Sequence, residues 1–370
     1  AAYIVVLNTD AGDAPAPEAV RGRAEKVAGA VGVRASRVYA GVLHGFAARL
    51  TPAQLTVLRR RPEVAYVEPD APVRLFTTQA NPISWGLDRI DDVNLPLDQT
   101  FTYTSNGAGI KAYVLDTGIN LNHLDVIGRA AYIPNGSNGD FVGDGYGSAA
   151  DCHGHGSHVA GTVGGTYSGV AKGVTILAGR VVNCTGGGTA SMAIAGMDWI
   201  RLNGVKPAVV NMSLGYGNLA SVRTAASNLV AAGFTVVAAA GNGDFAGTPI
   251  DACTESPAGA PTVITVGSTT STDAESSFSN YGSCVDILAP GSAIYSSDYL
   301  VTNQVVTKSG TSMAAPHVAG VAAQYLQNNP TATPGAVWKA IFTNSVTGTI
   351  TRHRLSVFYG TPNRFLFTNW

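Results

Sequence analysis

The run DCHGHGSHVAG at 151–161 holds three of the chain's seven histidines, His153, His155 and His158. Three imidazoles this close could bind zinc, or one could act as a base with the others incidental. Two further motifs carry chemistry that fits the second reading. AYVLDTGI ends an apolar run at Asp116, and SGTSMAAPHVAG sets Ser312 just ahead of an apolar helix with Pro316 in its first turn. A serine nucleophile needs a neutral imidazole within hydrogen-bond reach. The imidazole in turn needs a carboxylate to hold its tautomer and stabilise its cation. Taken singly, each residue has a plain structural reading: Asp116 as a capping residue, His155 as a satisfied core histidine, Ser312 as an N-cap. No HExxH is present, and Gly154 and Gly156 suit backbone approaching a site better than a zinc cage.

The elements around these motifs place them where a site is expected. From about residue 108, near-continuous apolar runs read as parallel strands buried on both faces: 110–116, 174–182, 208–214, 234–241 and 262–268. Helical patterns at 189–204 and 221–233 lie between them. This predicts an α/β domain with a doubly wound, mostly parallel sheet, whose functional groups sit at the carboxyl ends of the strands. Residues 1–77 differ in character, with ten Lys/Arg against seven Asp/Glu, where the remainder has thirteen against seventeen. Their pattern is β-α-β-β-α-β: strands at 3–7, within 38–50 and at 64–70, helices at 17–31 and 51–64. That is a small α+β, ferredoxin-like unit. Thr51 as N-cap and Pro52 at the first helical position mark the second helix. The stretch 75–84, LFTTQANPIS, reads as a polar linker. Two domains are expected, 1–77 and 78–370.

Composition narrows the partners. Hydrophobic residues make up 45%, charged residues 13%, and the net charge is −1. Neither nucleic acid nor an anionic membrane is an expected partner, and no apolar run reaches the length of a membrane-spanning helix. The four cysteines, Cys152, Cys184, Cys253 and Cys284, form no CxxC pair. Their even count and wide, similar gaps suggest two disulfides and an oxidising compartment, so a secreted, extracellular protein is expected.

With its three motifs and their flanks, the chain resembles the subtilisin superfamily of serine proteases, in its proteinase K and aqualysin-like branch. WGLDRID (85–91), NMSLGYG (211–217) and SNYGSCVDILAPG (279–291) add to the likeness, and residues 1–77 look like that family's inhibitory prodomain. The resemblance implies a serine endopeptidase made as a zymogen, with His155 as base, Asp116 as its partner, Ser312 as nucleophile and Asn242 in AAAGNGD as oxyanion donor. It makes His158 a packed residue and His153 a loop residue. It puts Ser213-Leu214-Gly215 and Gly186-Gly187-Gly188 on either side of an extended peptide, with Ala239, Ala240 and Gly241 walling the primary pocket. None of these is charged, so a broad, apolar or aromatic preference is expected. Ala190 stands where relatives often carry Tyr. The resemblance pairs Cys152 with Cys184 and Cys253 with Cys284. Structural calcium is implied at Asp88, Asp91, Asp92 and Asp98, where clustered carboxylates suit a hard cation. A second calcium is implied at Asp286 with the carbonyls of Pro261 and Val263, and Asp140 and Asp144 are weaker candidates. Expected partners are protein and peptide substrates and the chain's own prodomain as intramolecular inhibitor, whose tail would be Arg74-Leu75-Phe76-Thr77. The enzyme is expected to act as a monomer. Two other readings stay open on the residues alone: a catalytically silent protein that keeps the fold, and a cysteine- or metal-dependent hydrolase.

Overall fold

A computed structural model describes residues 1–8, 16–70, 77–244 and 246–370. The chain divides into two compact units, Ala1–Leu75 and Phe76–Trp370. In the first, β1 (Ala2–Leu7), α1 (Pro17–Gly29), β2 (Arg37–Tyr39), β3 (Gly45–Arg49), α2 (Pro52–Leu58) and β4 (Val64–Pro69) follow the expected order. The antiparallel sheet runs β2-β3-β1-β4. Thr51 and Gln54 form a reciprocal capping box that starts α2. Val5, Leu7, Ala24, Val27, Phe46 and Leu58 close the core between sheet and helices.

The second unit opens with β5 (Thr77–Ala80), α3 (Trp85–Asp91), β6 (Thr100–Tyr103), β7 (Lys111–Asp116) and β8 (Ala130–Tyr132). Next come α4 (His155–Gly164), β9 (Thr175–Arg180), α5 (Ala190–Asn203), β10 (Ala208–Met212), α6 (Ala220–Ala231), β11 (Thr235–Ala239) and β12 (Ile264–Thr269). The chain ends with β13 (Ile287–Pro290), β14 (Ile294–Ser297), β15 (Val305–Lys308), α7 (Thr311–Asn328), α8 (Pro334–Asn344), β16 (Val346–Thr347), α9 (Arg354–Phe358) and β17 (Arg364–Phe365). The main sheet has the order β16-β17-β13-β12-β11-β10-β7-β9-β8, parallel throughout except for β16 against β17. The winding reverses between β7 and β10, which makes that crevice the switch point.

Alternation explains the continuous apolar runs. Ala112 and Val114 of β7 join the core that contains α4 and α7, while Tyr113 and Leu115 join the one that contains α5 and α6. Asp116 continues the even-numbered set and so faces α4. The stretch expected to be a linker is partly a strand. Thr77–Ala80 pairs antiparallel with Thr100–Tyr103, and the hydroxyls of Thr78 and Thr102 lie 3.1 Å apart. Threonines on both strands favour cross-strand pairing over an open linker. Among the described residues, no helix is long and apolar enough to cross a membrane.

Helix α3 is anchored through a buried ion pair. Arg89 has a fully buried side chain and forks onto Asp273 at 2.8 and 3.0 Å, with its guanidinium 4.2 Å from the Phe365 ring centroid. Removing one partner strands a buried charge, so Asp273→Ala should cost about 3–5 kcal/mol. Denaturant unfolding in a Ser312→Ala background would measure it. A loss below about 1 kcal/mol would show that the guanidinium finds another partner or water.

Candidate active site

Asp116 ends β7, and His155 is the first residue of α4. Gly156 lets the helix reach the strand: a Cβ there would run into the Gly118 carbonyl. At that approach His155 Nδ1 lies 2.8 Å from Asp116 Oδ1, which also accepts the Thr117 N–H at 2.7 Å. His155 keeps 24% of its side chain exposed, against 2% for Asp116. Burial pushes the imidazole's pKa down, but the Asp116 charge and hydrogen bond outweigh it and the net shift is upward. Asp151, a residue the sequence reading assigned no role, locks the entry to the helix. Its carboxylate accepts the N–H groups of His153, Gly154 and Ser157 and the Thr117 hydroxyl. An aspartate just ahead of a helix start was the available signal.

Ser312 is the second residue of α7 rather than a residue ahead of it, and Pro316 falls in the second turn, not the first. Proline has no N–H for the Ser312 carbonyl four residues back. That carbonyl is taken instead by Ser213 Oγ at 2.8 Å, and Asn211 Nδ2 supports Ser213 Oγ at 2.9 Å. Ser312 Oγ itself donates to the Ser213 carbonyl at 3.3 Å. Asn242 Oδ1 accepts both the Thr311 N–H (2.8 Å) and its hydroxyl (2.9 Å), so its Nδ2 is left as a free donor. The Ser312 N–H lies in the first helical turn, where no intrahelical acceptor exists.

A cleft of about 580 Å³ is lined by Asp116, His155, Gly186–Gly188 and Ser213–Tyr216. His153, on the loop ahead of α4 as expected, lines it too, its ring centroid 6.4 Å from that of His155. His158 packs inward, with Nε2 on the carbonyls of Ile294 and Val306, and burial drops its pKa to about 3. The structure joins Cys152 to Cys184 and Cys253 to Cys284. The first bond staples the rim carrying Gly186–Gly188 to the loop carrying His153. Gly187 already pairs both main-chain groups with Asn183, so Gly188 and the Gly186 carbonyl are the open groups on that side. Ala239 and Ala240 are buried at the end of β11, followed by Gly241. Ala190 is the first residue of α5, two positions after Gly188. Glu255, absent from the sequence reading, reaches this region: its Oε2 accepts the Gly217 N–H at 3.1 Å.

The acidic candidates separate. Asp88, Asp92 and Asp98 place carboxylate oxygens within 4.8 Å of one another. Asp91 turns to β6, accepting the Thr102 N–H at 2.7 Å. Buried Asp88 Oδ1 and Asp91 Oδ1 have no protein partner, and such acceptors suit a hard cation. Burial first, and neighbouring carboxylates second, raise Asp88 to about 6; burial raises Asp91 to about 7. Both oxygens of Asp286 accept hydrogen bonds, from the Thr265 N–H and Trp338 Nε1. Pro261 and Val263 lie in the turn before β12. Asp140 and Asp144 are not a cation site: buried Arg180 pairs with both at 3.0 and 2.7 Å and holds Asp144 down at about 2.

Residues 107–361 match the Subtilase family (peptidase S8), and residues 2–76 match the peptidase inhibitor I9 family. An extracellular serine proteinase of Thermus sp. (strain Rt41A) is 47% identical, over 98% of this chain and 85% of its own length. Alkaline serine exoprotease A of Vibrio alginolyticus is 45% identical over 93% of this chain, which spans 62% of that relative. Proteinase R of Parengyodontium album is 38% identical over 94% of this chain and 84% of its own length. The crystal structure of a cold adapted subtilisin-like serine proteinase superposes with a TM-score of 0.72 at 45% identity, covering 79% of this chain and all of that one. A reversed α/β winding preceded by an inhibitor-type α+β unit is in keeping with these matches, and the chain belongs to the subtilase family as a subtilisin-like serine endopeptidase with an I9 prodomain.

Proposed function

We propose that Asp116, His155 and Ser312 form the catalytic triad of a secreted, calcium-stabilised endopeptidase made as a zymogen. The observation that carries this reading is the 2.8 Å bond from His155 Nδ1 to Asp116, beside the Ser213 carbonyl on which Ser312 rests. Rotation of Ser312 Oγ toward His155 Nε2 prepares attack on the scissile carbonyl carbon. His155 takes the hydroxyl proton, and Asp116 stabilises the resulting imidazolium. The oxyanion is held by Asn242 Nδ2 and the Ser312 N–H. Collapse returns the proton to the leaving amine; water then opens the acyl-enzyme with His155 again as base. An extended substrate adds as a strand against Ser213–Gly215 and the open groups of Gly186–Gly188. Ala239, Ala240 and Gly241 give the primary pocket apolar walls, consistent with broad tolerance that includes apolar and aromatic side chains.

The inhibitor-type unit supports intramolecular inhibition until it is released, with domains 1–77 and 78–370. We assign the cut to the bond after Thr77, with Ala80–Asn81 as the alternative. Of the proposed tail, Arg74, Leu75 and Phe76 lie outside the described residues. Thr77 is the first residue of β5, so cutting there opens only the end of the β5–β6 pair. Two disulfides, no free cysteine among the described residues, and the extracellular name of the Thermus relative support secretion. The mature enzyme acts as a monomer. Calcium would be held by Asp88, Asp92 and Asp98, with Asp91 beside them, and a second ion by Asp286 with the carbonyls of Pro261 and Val263; their role is to stabilise the fold.

A serine-directed organophosphate should label Ser312 in the mature enzyme. Ser312→Ala, incubated alone, should remain one 37.9 kDa chain while wild type yields two fragments; processing of the variant at the wild-type position would remove the autocatalytic account. Because the folded pKa of His155 is raised, the active neutral form is lost as pH falls through a midpoint at or above the ordinary value of about 6.5. Below it kcat/KM should drop about tenfold per pH unit, and a profile flat to about pH 4 would exclude His155 as base. Raised carboxyl pKa values mean that the metal-free fold loses stability as pH rises through about 6 and 7, the values of Asp88 and Asp91. Calcium at a hundredfold excess over its Kd should add about 2.7 kcal/mol. Calorimetry should find the calcium-dependent rise in Tm larger at pH 8 than at pH 5, and no difference would remove the site.

A further inference from the structure

Glu255 stands at a point in the cleft that the mechanism above does not use. Gly215 follows two residues after Ser213, whose carbonyl receives Ser312 Oγ. Gly241 directly precedes Asn242, whose side chain holds the Thr311 N–H. These glycines flank the nucleophile from two different strand ends; Gly215 faces Glu255, and Gly241 faces Asn280 with Glu255 behind it. A Cβ on Gly215 would lie 3.1 Å from Glu255 Oε2, while one on Gly241 would strike Asn280 Nδ2 before it reached Glu255 Cγ at 3.5 Å. Gly215 lines the cleft and lacks a side chain, so the cleft wall at that point leaves this carboxylate uncovered. Gly241 has φ +103°, a conformation that keeps the position to glycine.

The carboxylate is also uncommitted. Oε2 accepts the Gly217 N–H, while Oε1 has no hydrogen-bond partner among the described residues. No cationic side chain of the described residues pairs with it. The nearby Arg223 is engaged elsewhere, with Nε on Ser256 Oγ at 3.1 Å and Nη2 on the Cys253 carbonyl at 2.6 Å. A half-buried carboxylate with one oxygen unpaired among the described residues, behind the cleft wall at Gly215, is placed to meet a cation. Lys and Arg carry their charge at the end of methylene stems that pack against apolar walls.

We propose that Glu255 is a specificity-determining residue of the primary pocket, and that the enzyme prefers peptides with Lys or Arg immediately before the scissile bond. The proposal rests on the triad reading given above. Apolar side chains still fit between Ala239, Ala240 and Gly241; the cation adds a charge-assisted pair that they lack, and an acidic side chain meets like charge.

The test uses purified mature enzyme and four peptide anilides that differ only in the residue before the scissile bond: Lys, Arg, Phe and Glu. Glu255→Gln keeps an oxygen to accept the Gly217 N–H and removes the charge. A purely structural role would therefore change all four substrates alike. The expected result is a Lys/Phe ratio of kcat/KM that falls about tenfold in Glu255→Gln, with a matching rise of Glu over Phe. In wild type alone, the Lys/Phe ratio should also fall as salt is raised, because a partly exposed pair is screened. Benzamidine, a small cationic probe, should inhibit wild type competitively and the variant at least about tenfold more weakly. A Lys/Phe ratio unchanged by both the substitution and salt would overturn the proposal while leaving the triad reading in place. Wild type that neither takes an organophosphate label nor cleaves any of the four peptides would instead sink the triad reading, and this proposal with it.

Discussion

The site depends on one close approach, between the carboxyl end of β7 and the first turn of α4. His155 reaches Asp116 because Gly156 has no Cβ to strike the Gly118 carbonyl. A larger residue would push the helix off the strand and break the 2.8 Å bond. That bond fixes which imidazole nitrogen is turned to Asp116, and so which one is left for the cleft. The rest of the arrangement holds this contact in register. Asp151 collects three backbone N–H groups and the Thr117 hydroxyl, and Thr117 in turn accepts the Gly156 N–H at 2.8 Å. Strand end and helix start are thereby tied to a single carboxylate.

Ser312 is placed by a similar trade. Pro316 removes a helical hydrogen bond inside α7, which ordinarily weakens a helix. The freed carbonyl belongs to Ser312, and Ser213 from the end of β10 fills the vacancy. A defect in one element thus becomes a tie to another across the switch point. Asn211 points to the same face as Val209, toward α7, and completes the buried chain from β10 through Ser213. These polar contacts are fully buried at Asn211, where an unpaired donor would be costly.

Away from the triad, charge is handled in two different ways. Arg89 and Arg180 have wholly buried side chains, and each is paired with aspartate at hydrogen-bond distance. Arg180 also reaches the Cys184 sulfur and stacks over Tyr146, binding the 140–146 loop to the end of β9. The carboxylates at Asp88, Asp92 and Asp98 have no such cation among the described side chains. Their mutual repulsion and burial create a demand for positive charge that the chain itself does not meet there. The same contrast separates Asp140 and Asp144, satisfied by Arg180, from the cation-type cluster, although both segments read alike as acidic loops.

The sequence by itself determined the winding, the strand and helix ends that carry Asp116, His155 and Ser312, the α+β unit ahead of them and the even set of cysteines. These are local or periodic properties: apolar runs report strands buried on two faces, and glycine-rich turns report backbone at a strand end. It did not determine that Thr77–Ala80 is a strand, since the pairing partner lies more than twenty residues away and threonines in a turn-rich stretch give no register of their own. It placed Pro316 one turn early, because the start of α7 is set by Asn242, from the end of a different strand, capping the Thr311 N–H. That His153 lines the cleft, and where Glu255 lies, were not legible for the same reason. Nothing in DCHGHGSH or ACTESPAG says which wall a side chain meets. Only packing brings Glu255 to Gly215, forty positions away, on the wall of the cleft.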